Sequence, residues 1–313
     1  MSVIDAVNAG VARCRAEVHG SGRGFVVSNL PGAGAGASYS VEPTGSSSRS
    51  TWRGITDALK RAFWTKYDWA RAKARAKMVK SGTTTTAAGK RALAAKRSYA
   101  TKKGVSTATA GRHFGVALHA ALATFIKCSA PSGRPTSKPL SARALQEAKA
   151  VIRGLKSLGV TLLETEAAFR SARLGLATAV DILGWHEALQ KLVVVELKRG
   201  FGGGLFEMGS GAYMDGPVEG IPDSPRNQAH LQALTVAHWL IDEGGVPSNA
   251  IMTMVLRVDD ATQEVSYHRS PEWLWHNRRA LMDFFNSKVT DKMRGARVTK
   301  TKIKSRPRKR ART

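Results

Sequence analysis

The sequence predicts an α/β fold, a central mixed sheet flanked by helices, from three observations. Two apolar runs, LATAV at 176–180 and LVVV at 192–195, each end in an acid and are separated by the polar HEALQ, which reads as a hairpin of buried strands. A helical stretch with its own start and stop signals follows, from Ser224 to Gly244. A second strand pair, AIMTMVLRVDD and ATQEVSYHRS, comes next, so strands are followed and flanked by helices.

Taken in chain order, residues 1–50 are rich in Gly, Ala and Ser, a composition that does not offset the entropy of ordering, so most of this segment is expected to be poorly ordered around a short helix in VIDAVNAGVARC. A basic helical region is expected over 51–110, opening with Ile55, Leu59, Ala62 and Phe63 at helical spacing and continuing through WTKYDWARAKARAKMVK and GKRALAAKRSYATKKG. A domain boundary is expected near Gly111. The core then runs over 111–287, with helices at 112–127 and from Ser141 to about 157 around a Pro/Ser loop at 129–139. TLLETEAAF supplies the first of three strands. After the hairpin, the Gly-rich RGFGGGLFEMGSGAYMDG is expected to be a flexible loop. It lacks both G-x-x-x-x-G-K-[ST] and a helix-opening G-x-G-x-x-G, so it is not read as a phosphate cradle. Ser224 caps the long helix with Pro225 in its first turn, and PEWLWHNRRALMDFFNSK closes the fold as a helix. Residues 288–313 are expected to form a disordered basic tail.

With 313 residues and 42% hydrophobic content, the chain is large enough for a sizeable core and unlike a disordered or fibrous protein. No run approaches the ~18 apolar residues of a membrane span, and the N-terminus lacks a secretory pattern, so an intracellular protein is expected. Cys14 and Cys128 are too few for a disulfide scaffold or a four-thiolate zinc site, and no disulfide is expected.

The net charge of +26 is concentrated in two places. Residues 49–113 hold 17 Lys/Arg against Asp57 and Asp68, and residues 288–313 hold 12 against Asp291, which leaves the rest of the chain electroneutral. Basic attachments on a neutral body gain free energy by releasing counterions from a polyphosphate, so nucleic acid is the expected partner. Anionic membranes attract the same charge but also require an apolar face or a lipid, and no membrane partner is expected. KSRPRKRART reads as a nuclear-import signal or as a DNA-contacting tail, the former implying a nucleus in the host, whether eukaryotic or infected by a virus.

The hairpin carries the chemistry. Strands lie ~4.8 Å apart and side chains alternate, so Glu196 and Lys198 share a face that Asp181 also lines. Carboxylates this close cannot all stay ionised without a cation, and such an oxygen-rich set suits Mg²⁺ or Mn²⁺. Lys198 is placed to orient or help deprotonate an attacking water and to offset developing charge.

Asp181 followed by Glu196-x-Lys198 resembles the signature of the PD-(D/E)xK nuclease superfamily, with Val180 where the proline of that name would stand. The order of surrounding motifs is similar to its RecB-type exonuclease branch, which includes mitochondrial genome maintenance exonucleases. A G-x-x-x-H-x-x-L helix is matched by Gly115, His119 and Leu122. A Glu ahead of the Asp strand is matched by Glu166, with Glu164 as competitor. The Q-x-x-Y helix is matched by Gln232, with Thr235 in place of Tyr and Gln228 as the alternative Gln. Across residues 111–240 the resemblance implies a restriction-endonuclease-like core. It also implies His119, Asp181, Glu196 and the Leu197 carbonyl as metal ligands, with Lys198, Glu166 and Gln232 as catalytic residues. The activity implied is metal-dependent DNA hydrolysis, exonucleolytic in mode, in replication, recombination or repair and alongside the proteins of those assemblies.

Without the resemblance each element has a plainer reading. His119 is then a core or helix-surface histidine, Glu166 a surface carboxylate, Gln232 a solvated helix residue, Asp181 a turn former and Lys198 a strand end. The matching functional alternative is a non-enzymatic DNA-binding or packaging protein that works through its basic arms. His113, His186, His230 and His238 form no evident ligand set and are read as structural, and Arg199 and Arg226 are not singled out.

Overall fold

In the computed structural model the described residues are 3–19, 25–28, 38–41, 50–64, 87–104, 107–125, 141–171, 173–201, 204–209 and 211–290. The expected aromatic and basic stretch at 65–86, the Pro/Ser loop, Cys128 and residues 291–313 of the C-terminal tail lie outside them, while 288–290, expected as disordered tail, are helical.

The elements in order are α1 (Val3–His19), β1 (Phe25–Ser28), β2 (Ser38–Val41), β3 (Ser50–Gly54) and α2 (Ile55–Phe63), then α3 (Ala87–Lys103), α4 (Thr107–Phe125) and α5 (Ala142–Ser157). The chain continues through β4 (Val160–Ser171), β5 (Leu176–His186), β6 (Lys191–Arg199), the short α6 (Leu205–Met208), α7 (Pro225–Asp242), β7 (Ile251–Val258), β8 (Val265–Arg269) and α8 (Glu272–His276). A last helix, α9, covers 278–290.

Strands β4 to β8 form a five-stranded mixed sheet flanked by helices. β4, β5 and β6 are successive antiparallel neighbours, β6 pairs with β7 in parallel, and β8 is antiparallel to β7. Along β6 the alternation sorts side chains between two cores. Leu192 and Val194 join one with α1, α2, α7 and α9, while Val193, Val195 and Leu197 join another with α4 and α5. Both faces are therefore covered, which is why this strand reads as a continuous apolar run. The same alternation sends Glu196 and Lys198 toward the α7 face.

β5 has a divided edge. One side is occupied by β4 from Leu176 to His186, and the other pairs with β3 only at Leu176–Ala177 and with β6 only at Ile182–His186. Residues 178–181 pair with neither β3 nor β6, so the sheet opens there.

Local signals act as expected at the long helices. Ser141 accepts from Ala144 N–H at 3.2 Å and Ser224 from Asn227 N–H at 3.2 Å, each satisfying a first-turn donor. Three expectations are corrected. Helix α4 runs unbroken through residue 111, where a domain boundary was expected, and α2 of the basic region buries Ile55, Leu59, Ala62 and Phe63 in the same core as α7. Apolar packing, not charge, decides where α2 belongs.

The segment 1–50 contributes α1, which buries Val7 and Cys14, and the antiparallel pair β1–β2, which β3 links to β5. The Cys14 thiol donates to the Trp239 carbonyl at 3.7 Å. The Gly-rich segment is anchored where it is described. Phe206, Met214 and Val218 are buried, and Gly216, at φ +71°, lies where a Cβ would meet the Phe284 ring at 2.5 Å.

Candidate metal centre

The opening in the sheet is where the chemistry-bearing side chains gather. Helix α4 buries Leu118, Ala121 and Leu122 against the sheet, which carries His119 to the middle of β4 and β5, where Glu166 and Asp181 lie. There His119 Nδ1 donates to Glu166 Oε1 and lies 3.6 Å from Asp181 Oδ1. One ligand atom each from His119, Glu166 and Asp181 falls within a 4.8 Å cluster.

The strand register explains why the acids meet. Thr165 pairs with Ile182 and Ala167 with Val180, so Glu166 sits opposite Asp181. Glu166 has φ +52°, a left-handed conformation that costs a non-glycine residue about 1–2 kcal/mol and concentrates at functional sites. Ile182 pairs with Val195, so the next position sets Asp181 opposite Glu196. The Leu197 N–H donates to Asp181 Oδ2 at 2.6 Å. A strand residue's N–H and C=O leave along the same edge, so the Leu197 carbonyl also opens toward Asp181.

Lys198 Nζ donates to Glu196 Oε1 at 2.6 Å and to Gln232 Oε1 at 3.0 Å. Gln232 Nε2 in turn donates to Thr56 Oγ1 at 2.7 Å, which ties α7 to α2. The seven expected residues, His119, Glu166, Asp181, Glu196, Leu197, Lys198 and Gln232, therefore form one connected constellation. Within it Glu166 and Glu196 are placed differently. Glu166, expected as a catalytic residue, belongs to the tightest donor cluster, whereas Glu196, expected as a ligand, has Oε1 turned to Lys198.

The alternatives fall elsewhere. Gln228 Nε2 donates to Asp223 Oδ1 at 2.7 Å, and Glu164 lines a groove of about 450 Å³ beside α1. Thr235, in the Tyr position of the motif, is buried and donates to the Leu231 carbonyl at 2.7 Å.

The electrostatics are those of crowded anions. Burial and the neighbouring Asp181 push the Glu196 carboxyl up to about 7, and burial pushes Asp181 up as well, against the pull of His119 and Lys198. Burial opposes charge on His119, yet Asp181 and Glu166 outweigh it and raise the imidazole to about 9. Burial likewise opposes charge on Lys198, and Glu196 and Asp181 hold its pKa above the ordinary lysine value. Three carboxylates, a strand carbonyl and one imidazole make a hard, mostly oxygen donor set beside the Lys198 ammonium, and the raised carboxyl pKa values reflect burial first and neighbouring carboxylates second. The residues present thus fit a hard divalent cation such as Mg²⁺ or Mn²⁺.

Beyond the sites expected from sequence, Arg199 is buried and commits both ends of its guanidinium, to Glu147 at 2.8 Å and to Asp260 at 2.6 Å. Arg143 joins Glu147 at 2.8 Å and Lys96 joins Asp260, so one network ties α3 and α5 to the end of β6, next to Lys198. No local pattern marks Glu147 or Asp260 for this role. The helical spacing around Thr56 likewise gives no signal of its bond to a residue 176 positions away.

No protein-family model, curated protein or solved structure matches this chain.

Proposed function

We propose that this chain is a metal-dependent deoxyribonuclease that hydrolyses DNA phosphodiester bonds on a restriction-endonuclease-like core of the PD-(D/E)xK type, exonucleolytic in mode. The observation that carries the reading is the convergence of His119, Glu166, Asp181, Glu196 and Lys198 where β5 is left unpaired on the side of β3 and β6. The order α5–β4–β5–β6–α7–β7, with β6 and β7 parallel, supports the core assignment. The exonucleolytic mode, the choice of DNA over RNA, a setting in replication, recombination or repair and a nuclear location rest on the motif resemblance and the basic tail.

His119, Glu166 and Asp181, with Glu196 and the Leu197 carbonyl beside them, would hold Mg²⁺ or Mn²⁺. A divalent ion bound there supplies Lewis acidity toward a phosphoryl oxygen. Lys198, held by Glu196 and Gln232, orients the attacking water and places positive charge where the transition state gathers negative charge. A carboxylate of the cluster receives the water proton as the new P–O bond forms and the P–O bond to the leaving sugar oxygen breaks. Helix α3, which has no acidic residue and exposes Arg91, Arg97, Lys102 and Lys103, supports a polyanionic substrate.

The test is cleavage of end-labelled linear and closed circular DNA with Mg²⁺, with and without EDTA, by the parent and by Asp181→Ala, Glu196→Ala and Lys198→Ala. EDTA-sensitive hydrolysis lost in all three variants is expected. Salt-sensitive DNA binding without hydrolysis in the parent would replace this reading with that of a cationic binder.

A further inference from the structure

The chemistry proposed for Lys198 depends on where its ammonium points. A lysine ammonium carries only donors, so of the two ends of the Gln232 amide only the oxygen serves it. The Lys198 Nζ to Gln232 Oε1 distance is 3.0 Å, and the NH₂ end of the same amide lies 2.7 Å from Thr56 Oγ1. Half a turn of that amide would set donors against the ammonium.

Thr56 stands in the first turn of α2, in a fixed place. Ile55, Leu59, Ala62 and Phe63 are at most 4% exposed, and Phe63 lies against Phe285 with ring centroids 6.2 Å apart. The Asp215 N–H donates to the Phe63 carbonyl at 2.7 Å, which fastens the end of the same helix. A threonine on so rigid a support presents its hydroxyl oxygen at a constant position.

We propose that Thr56 is a positioning residue: the donor-only ammonium selects the amide oxygen of Gln232, and the Thr56 hydroxyl, by accepting from Nε2, anchors the amide so that this oxygen stays on Lys198. The hydroxyl oxygen is the complementary acceptor that a donor-only lysine cannot be. Thr56 lies outside the stretch that carries the nuclease resemblance, and it makes α2 a working part of the site. The kinetic consequence rests on the phosphodiesterase reading, while the geometric claim does not.

Four full-length proteins test this: Thr56→Val, which removes the hydroxyl at nearly constant volume, Thr56→Ser, which keeps it, Gln232→Ala, and the double variant Thr56→Val/Gln232→Ala. With linear DNA and Mg²⁺, Thr56→Val lowers kcat about tenfold, the scale of losing a supporting hydrogen bond behind a site residue, and leaves KM and the Mg²⁺ midpoint within about twofold. Thr56→Ser retains the parental rate. The double variant is no slower than Gln232→Ala, because Thr56 acts only through that amide.

The second measurement needs no activity. The rate at which a small succinimidyl ester acylates Lys198 in the metal-free protein, read by mass spectrometry, rises severalfold in Thr56→Val and returns to the parental value in Thr56→Ser. If Thr56→Val fails to fold, Thr56→Ala takes its place with the same expectations. Unchanged acylation in the hydroxyl-free variant, or losses that add in the double variant, overturn the proposal. A parent that cleaves no DNA overturns the nuclease reading instead, and the acylation rates still decide the role of Thr56.

Discussion

Replacing Glu196 with Gln is expected to stabilise the metal-free protein at pH 8 and to weaken its stabilisation by Mg²⁺. In the fold, burial and then Asp181 raise the Glu196 carboxyl from the ordinary 4.5 to about 7. A carboxyl whose pKa is raised on folding contributes stability that is complete below the unfolded value and is lost as pH rises through the folded value. The window is therefore pH 4.5 to about 7. At about 1.4 kcal/mol per pH unit, the metal-free parent gives up about 3 kcal/mol across it. The glutamine amide keeps the shape of the protonated acid and has no charge to desolvate, so the variant lacks the Glu196 share of the loss while His119 and Asp181 titrate in both proteins.

Urea denaturation in EDTA at pH 4.5 and pH 8 measures the difference. The two proteins should agree at the lower pH and separate by about 3 kcal/mol at the higher, with the variant the more stable. Added Mg²⁺ should then raise the parent more than the variant, which keeps the His119, Glu166 and Asp181 cluster but loses one carboxylate beside it, since binding to the native state alone stabilises by mass action. A variant less stable than the parent at pH 8 in EDTA would refute the view that this site is a cluster of repelling anions awaiting a cation.

Three further outcomes follow from the same coordinates. Mg²⁺ affinity should rise between pH 6 and 9 with protons released on binding, because Glu196 at about 7 and His119 at about 9 must lose protons to act as ligands; calorimetry in buffers of different ionisation enthalpy measures the release. His230 is buried and, through that burial and the nearby Arg226 and His268, has its pKa lowered to about 3. Its neutral form stabilises the fold above pH 6.5, and that contribution is lost as pH falls toward 3, so His230→Phe should lessen the drop in stability between pH 6.5 and pH 4 by about 3 kcal/mol, read by urea denaturation at the two values. Arg199→Met leaves Glu147 buried with Arg143 as its remaining charged partner and should destabilise by about 3–5 kcal/mol in the same assay, while adding Glu147→Met should recover much of the loss.

The legible parts of this molecule are those governed by neighbours in sequence. The apolar runs before Asp181 and Glu196 announce buried strands, HEALQ announces their connection, and Ser141 and Ser224 announce helix starts by cap chemistry alone. The two-residue period was enough to place Glu196 and Lys198 on one face. What stayed hidden is held by pairings between distant segments. The left-handed Glu166 depends on its cross-strand position opposite Asp181, and a two-pair contact brings β3 to β5. Arg199 reads as any strand-end arginine until Glu147 and Asp260 close around it. Composition also misleads where a few contacts suffice, since the Gly- and Ser-rich first 50 residues still supply α1, β1 and β2.

The charge distribution gives the site and its attachments one physical logic. On the nuclease reading, the ionised carboxylates of the site repel a phosphodiester, so an uncharged approach path would disfavour entry of the backbone into the opening. Cationic segments that flank the neutral stretch in sequence would counter that repulsion, an attraction that acts over roughly one Debye length, ~8 Å at physiological salt. Closer in, Lys198 and a bound divalent ion take over. Long-range attraction and short-range neutralisation are thus assigned to different residues, and they can be separated by experiment. Removing residues 291–313, beyond the end of α9, should weaken DNA binding and flatten its salt dependence while the rate of bound substrate is kept, whereas Lys198→Ala should abolish that rate with the salt slope unchanged. A tail deletion that stopped hydrolysis of bound DNA would show that the two roles are not divided in this way.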